Sequence, residues 1–276
     1  VIQGQAQMNE NEAFFQLVDR YKGNNAIFIA DRNYESFNGF EHVVQSGNKY
    51  LIRVKDIGSK TSITQSFGPF EDTEFDIDVS SLLTRRNTNH IKAHPEIYKF
   101  MPKNQRFDYF NDDLNIAYEF HSRIVRFKIS EETYECIMTN LDRNEFSSEE
   151  IKELYHKRWG IETSFRELKY AIGLSALHSK KRESIKQEIY ARLLLYNFSQ
   201  RIIQKIKIKK RKTKHTYQVN FTRAFHIVRE FIRKKSGKPL PVESLIAKEI
   251  LPIRPNRSNI RDLKHKGVVC FNYRFD

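Results

Sequence analysis

Tyr155, Arg158, Glu162 and Lys169 place a phenol, two cations and a carboxylate within fifteen residues of one another. They stand at offsets of three, seven and fourteen residues. At about 100° per residue they fall within roughly 60° of one another on a helix. A carboxylate between two cations and a phenol suits phosphate chemistry: a guanidinium grips two oxygens at once, an ammonium acts as a point charge, and a carboxylate can hold a hard cation. Arg158 and Glu162 alone would be an ordinary i, i+4 ion pair worth roughly a few tenths of a kcal/mol. The complete spacing of four residues carries more than that pair. A second carboxylate, Asp31, directly follows the apolar run AIFIA of residues 26–30. Open α/β sheets place their chemistry there, in the crevice beyond the carboxyl ends of buried strands.

The four-residue set needs one continuous helix. Ser147 with Glu150 three residues on forms a capping box, and Gly173 marks a stop, so the spacing predicts a helix over 147–173. Leu154, Ile161, Phe165, Leu168 and Ile172 fall on the adjoining arc and are its expected buried face. Asp31 needs a strand set between helices. The run NENEAFFQLVDRYKG, residues 9–23, reads as a helix capped by Asn9 with Glu12 at capping-box spacing and ended by Gly23, and AIFIA as a strand buried on both faces. A short helix over Phe37 to Gln45 and the strand NKYLIRVK from Asn48 complete a strand, helix, strand passage.

Residues 56–146 have a different texture. EFDIDVS, AYEF, IVRFKIS and TYECIMT read as short strands between turn clusters, a β-rich insertion. The acids Glu71, Asp72, Glu74, Asp76 and Asp78 read as a solvated strand face. Beyond Gly173 a linker of small and basic residues leads to Ser184 and Gln187, a second capping box, and a long helix through about Ile208 whose buried face is Ile189, Leu193, Leu194 and Phe198. Thirteen Lys or Arg and one acid, Glu230, lie between Arg201 and Lys235. Within that stretch KIKIKKRKTKHTY, with Lys209, Lys210, Arg211 and Lys212 at its centre, reads as an exposed basic loop suited to a nucleic-acid backbone, because clustered cations bind phosphates whatever the sequence.

Tyr155, two residues, Arg158, three residues, Glu162, six residues, Lys169 resembles the Tyr-Arg-Glu-Lys signature of DDE transposases of the insertion-sequence-four family, and Trp159 and Ile161 fit that family's RWxIE run. Asp31, Arg32, Asn33 and Tyr34 are similar to its Asp-Arg-Gly-Tyr segment; Asn33 replaces the usual glycine, and Asn tolerates a left-handed backbone better than other non-glycine residues. Arg254, Arg257 and Arg261 loosely resemble its arginine-rich end. The resemblance implies an α/β, ribonuclease-H-like core, incomplete here with N-terminal strands missing, a β-rich insertion and a C-terminal helical region. Its parts are a partial core over 1–55, the insertion over 56–146, the glutamate-bearing helix and following helices over 147–235, and a basic segment over 236–276.

The same resemblance implies metal-dependent cleavage and strand transfer on double-stranded DNA, at transposon ends and target. Two Mg²⁺ ions about 3.5 to 4 Å apart do this chemistry, with Mn²⁺ able to substitute. Asp31 and Glu162 would be catalytic metal ligands, with Tyr155, Arg158, Lys169 and, by analogy, Arg53 at the DNA. The first aspartate of the family would lie upstream of Val1; Asp19 and Asp56 do not match its motif. The chain is therefore expected to be a fragment, inactive by itself. Synapsis of two ends implies a homodimer on DNA.

Composition agrees with a polyanionic partner. Lys and Arg number 48 against 34 Asp and Glu, a formal charge of +14, which favours nucleic acid over an acidic small molecule. Cys136 and Cys270 are far apart with no metal-type spacing, so neither a disulfide framework nor a zinc site is indicated. No apolar run reaches the roughly 18 residues needed for a membrane span. A cytoplasmic, nucleoid-associated bacterial protein without membrane attachment is expected. Two other classes fit the same residues: a non-catalytic DNA-binding protein derived from a transposase, and an unrelated basic nucleic-acid-binding module.

Overall fold

The computed structural model describes residues 9–110, 116–208 and 215–253. The chain divides into two compact units, Val1–Arg158 and Trp159–Asp276.

In the first unit the helix α1 (Glu10–Arg20) begins where expected, its N-cap Asn9 accepting a hydrogen bond from the Glu12 amide. It ends before Gly23, with Tyr21 as its C-cap. Strand β1 (Ile27–Ala30), helix α2 (Phe37–Gln45) and strand β2 (Lys49–Val54) follow as the sequence predicts. β3 (Phe75–Thr84), the short α3 (Asn89–Ala93), β4 (Tyr98–Phe100), β5 (Tyr118–Ser130), β6 (Thr133–Thr139) and α4 (Ser148–His156) complete the unit. Six strands form one sheet in the order β1-β2-β6-β5-β3-β4. β1 and β2 are parallel, as are β3 and β4, and every other pairing is antiparallel.

Side-chain alternation along each strand supplies both faces of this sheet. Tyr50, Ile52, Val54, Phe120, Ile124, Cys136 and Met138 point into the larger core with Phe14, Phe15 and Val18 of α1 and Phe37, Phe40 and Val43 of α2. Leu51, Val125, Phe127 and Ile137 point the other way, into a second core with Ile151 and Tyr155 of α4. The sheet is thus covered by helices on both sides, an α/β arrangement.

The expectation for β1 needs one correction. Its residues alternate between the two cores but most are only half-buried, because β1 is an edge strand of the sheet among the described residues. The segments AYEF and IVRFKIS are not separate strands: apart from Ala117 they lie within the 13-residue β5. Of the acidic stretch, Glu71, Asp72, Glu74 and Asp78 are exposed as expected, and Asp76 is the exception. Asp76 makes a two-pronged ion pair with Arg123, which is 2% exposed, at 2.7 and 2.6 Å, and Glu74 accepts the Lys128 amide at 2.5 Å.

Predicted as one helix, the stretch from Ser147 to Gly173 is three pieces: α4, then α5 (Trp159–Arg166), then a π-helical turn over Glu167–Ala171. Between the first two, the amides of Lys157 and Arg158 bond back three residues, to Leu154 and Tyr155, instead of four. The tighter i→i−3 bonds close the last turn of α4, and Gly160, a weak helix former, follows at once. A wheel of constant period does not carry across these junctions.

In the second unit α6 (Arg182–Ile203), β7 (Tyr217–Val219), α7 (Phe221–Arg233), α8 (Val242–Ile246) and β8 (Ile250–Pro252) follow the π-turn, with β7 and β8 antiparallel. Ile172, Tyr196 and Phe225 form one small core, and Ala224, Val228 and Ile246 another. Gly173 adopts φ +74° after the π-turn, a backbone conformation that favours glycine. Two expectations are overturned here. α6 starts at Arg182, after Lys181, and not at the Ser184 box. The face expected to be buried is turned outward in part: Leu194 and Phe198 are exposed, Leu194 at 72%, whereas Tyr196 and Ser199 are the buried positions. On α5, Ile161 and Phe165 are likewise exposed.

Candidate active site

Asp31 lies where the sequence predicts, immediately past β1 at the carboxyl end of the strand. Its backbone is still extended, and its Oδ1 accepts the Asn33 amide at 2.8 Å, capping the 3-10 turn over Arg32–Tyr34. The structural role of a strand-end Asp is therefore real, and it occupies one carboxylate oxygen. The register β1 to β2 pairs Ala30 with Ile52, so Asp31 and Arg53 follow at corresponding steps on adjacent strand ends.

Arg53 does not stand alone on its strand. Its Nη1 is 3.0 Å from the Glu135 carboxylate of β6. Glu135 and Ile137 share the α4-facing side of β6 with Leu51 and Arg53 of β2, so this ion pair sits beside the Tyr155 end of α4.

α4 is fixed at its start by the predicted capping box. Ser147 Oγ accepts the Glu150 amide at 3.3 Å, and the Glu150 carboxylate accepts the Ser147 amide at 2.8 Å. A second anchor was not foreseen: Ser148 donates to Asp76 at 2.7 Å, and Arg123 donates to the Phe146 carbonyl at 2.8 Å. One buried ion pair thereby ties the entry of α4 to β3 and β5.

At the far end of α4, Tyr155 is 1% exposed, its ring in the second core. Its hydroxyl is buried without a hydrogen bond of normal geometry. Burial raises its pKa; the Arg158 and Arg53 charges oppose the rise and Glu135 adds to it. The Arg158 guanidinium carbon is 5.6 Å from the Tyr155 ring centroid, within cation–π range. Within the first unit, then, Arg53, Glu135, Tyr155 and Arg158 form one electrostatic cluster.

Glu162 and Lys169 belong to the second unit. Glu162 is an exposed acid in the first turn of α5, where a helix N-terminus favours negative charge, and Lys169 is an exposed residue of the π-turn. Lys209, Lys210, Arg211 and Lys212 of the basic run lie outside the described residues, as do Arg254, Arg257 and Arg261.

Carboxylates at a strand end and a helix start are suitable donors for a hard divalent cation. Among the described residues, however, no group of three or more His, Cys, Asp or Glu is placed to hold a metal. Asp31 and Glu162 would be two of the donors that such an ion needs. Among the described residues no helix is long and apolar enough to cross a membrane.

Sequence reasoning passed over Glu135 and the pair Asp76 and Arg123. A signal for Glu135 was available: in TYECIMT it alternates in phase with Ile137, and a carboxylate at an inward strand position calls for a cationic partner.

A family model described as Transposase DDE domain matches residues 1–198 of this chain. The chain is 38% identical over 68 residues to the InsL protein for insertion sequence element IS186A of Escherichia coli (strain K12), a stretch covering 25% of this chain and 18% of that protein. It is 38% identical over 68 residues, with the same shares, to the transposase for insertion sequence element IS421 of Escherichia coli. The aligned stretch thus spans 18% of the length of these curated relatives.

Proposed function

The chain belongs to the Transposase DDE domain family, and on that footing we propose that it is the catalytic region of a DNA transposase that cleaves and joins strands at the ends of an insertion sequence. The observation that carries this is the family match over residues 1–198, a span that includes Asp31 and the whole Tyr155, Arg158, Glu162, Lys169 set. The spacing of that set supports the insertion-sequence-four branch as the reading, and with that resemblance go a ribonuclease-H-like core, a β-rich insertion and the residue divisions expected from the sequence.

The residues divide the work by their chemistry. Asp31 and Glu162 supply the hard oxygen donors for a divalent cation, Mg²⁺ with Mn²⁺ as a substitute. When bound, such ions activate the attacking water or 3′-hydroxyl and offset charge on the leaving oxygen. Arg158 and Arg53 direct guanidinium donors to phosphate oxygens, and Lys169 adds a point charge. Tyr155, with its ring in the core, holds the end of α4 and hence Arg158 in place. Lys209, Lys210, Arg211 and Lys212 neutralise flanking phosphates of the duplex. The working form is a homodimer on two DNA ends, in the bacterial cytoplasm at the nucleoid.

The test is cleavage at an insertion-sequence end by the full-length gene product. Glu162→Gln removes a ligand whose ion contributes several kcal/mol to the transition state, so nicking should fall by about 10³-fold with DNA binding retained. Nicking at the unmodified rate would contradict the role of Glu162. Binding without any nicking by the unsubstituted protein would favour the non-catalytic DNA-binding alternative.

A further inference from the structure

Glu135 is the acid in a cluster that otherwise presents cations and a phenol. Its side chain is 12% exposed and its Oε1 meets Arg53 Nη1 at 3.0 Å, with Arg53 itself 32% exposed. Its charge is felt by the Tyr155 phenol together with those of Arg158 and Arg53. The arrangement sets one carboxylate against two guanidiniums beside a buried ring.

Two consequences follow from elementary electrostatics. A carboxylate among two guanidiniums offsets part of their mutual repulsion, so the group keeps net positive charge without splaying apart. Its contact with Arg53 is made through Nη1, and a guanidinium has five N–H donors in a fixed fork. Holding one prong limits where the fork can swing and leaves further donors to meet an incoming phosphate. The pair sits at the Tyr155 end of α4 and joins β6 to β2, the strand that adjoins β1 and its terminal Asp31.

We propose that Glu135 is a positioning residue: it orients Arg53 towards the scissile phosphate and sets how much positive charge the cluster offers to DNA. This rests on the reading above that Arg53 and Arg158 meet DNA phosphates. Neither the motif nor the basic run contains Glu135.

The experiment compares Glu135→Gln, Glu135→Asp and Arg53→Ala in the full-length gene product, measuring duplex affinity against salt and single-turnover cleavage of an insertion-sequence end. Glu135→Gln keeps the shape and removes the charge that competes for Arg53. It should bind duplex several-fold more tightly at low salt, with a log–log salt slope steeper by about one, yet cleave about tenfold more slowly because the fork is no longer held. Glu135→Asp should recover part of the cleavage rate. Arg53→Ala should flatten the slope by about one. If Glu135→Gln weakens binding and cleavage together with a lower melting temperature, the residue is only structural and the inference falls. If its cleavage rate is unchanged, the inference also falls. An Arg53→Ala slope equal to that of the unsubstituted protein would instead overturn the assignment of Arg53 to phosphate, and the inference with it.

Discussion

Tyr155 illustrates how spacing and environment answer different questions at the scale of one residue. Its offset from Arg158, Glu162 and Lys169 can be read directly from the sequence, but its burial could not, because that depends on β2, β5 and β6 arriving at the same place from distant parts of the chain. The ring fills the second core, so Tyr155→Ala should cost about 3 to 5 kcal/mol in denaturant unfolding, as for other large aromatic truncations. The hydroxyl is buried with the Arg158 guanidinium as its polar neighbour, and Tyr155→Phe should stay within about 1 kcal/mol of the parent. A large loss for the phenylalanine variant would show that the hydroxyl, and not the ring, is what the fold uses. Asp31 was legible for a local reason: an apolar run followed at once by an acid needs only neighbouring residues to be recognised. Glu135 needed the register of β6 against β2.

At the scale of elements, helix starts were readable where the cap is local, and helix continuity was not. Asn9, Ser36 and Ser147 all cap through their own side chains. The box at Ser184 fails because α6 begins at Arg182, two residues before it. The interruption at Lys157 and Arg158 changes the hydrogen-bond period itself, which a wheel of fixed angle cannot register. The entry of α4 depends on both kinds of contact. Ser147→Ala removes the cap and should cost about 1 kcal/mol. Asp76→Ala leaves the Arg123 guanidinium buried without its partner and should cost about 3 to 5 kcal/mol, read as a shift of the urea midpoint at constant slope. A loss below 1 kcal/mol for Asp76→Ala would mean that Arg123 is satisfied by the Phe146 and Leu141 carbonyls alone. Asp76 and Arg123 stand 47 positions apart, so no short window could have joined them.

Across the whole molecule, stability should respond to pH and DNA affinity to salt. Hydrogen bonds from Arg106 hold the Asp108 carboxyl down at about 2. The Asp56 carboxyl is lowered by its hydrogen bonds from Arg126, and that of Asp76 is lowered by Arg123 and Ser148 against the opposing effect of burial. Depressed carboxylates contribute stability that is fully present above their unfolded value of about 3.9 and is lost as protons bind. The melting temperature should hold steady above about pH 5 and fall as the pH drops from about 4 towards 2; a flat profile through that window would contradict these pairings. The net charge of +14 predicts that duplex binding weakens steeply with added salt. The α/β class and the strand, helix, strand passage were legible, because each rests on a short periodic run. The boundary after Arg158 was not, since an uninterrupted helical pattern crosses it in the sequence. If Asp31 and Glu162 are ligands of one divalent-metal centre, metal-switched rescue should reveal it. Thiolate suits softer ions than Mg²⁺, so Asp31→Cys and Glu162→Cys in the full-length gene product should each lose Mg²⁺-supported cleavage and regain it with Mn²⁺ or Cd²⁺. Cleavage in Mg²⁺ that survives either substitution, or a failure of both softer ions to restore it, would contradict the account.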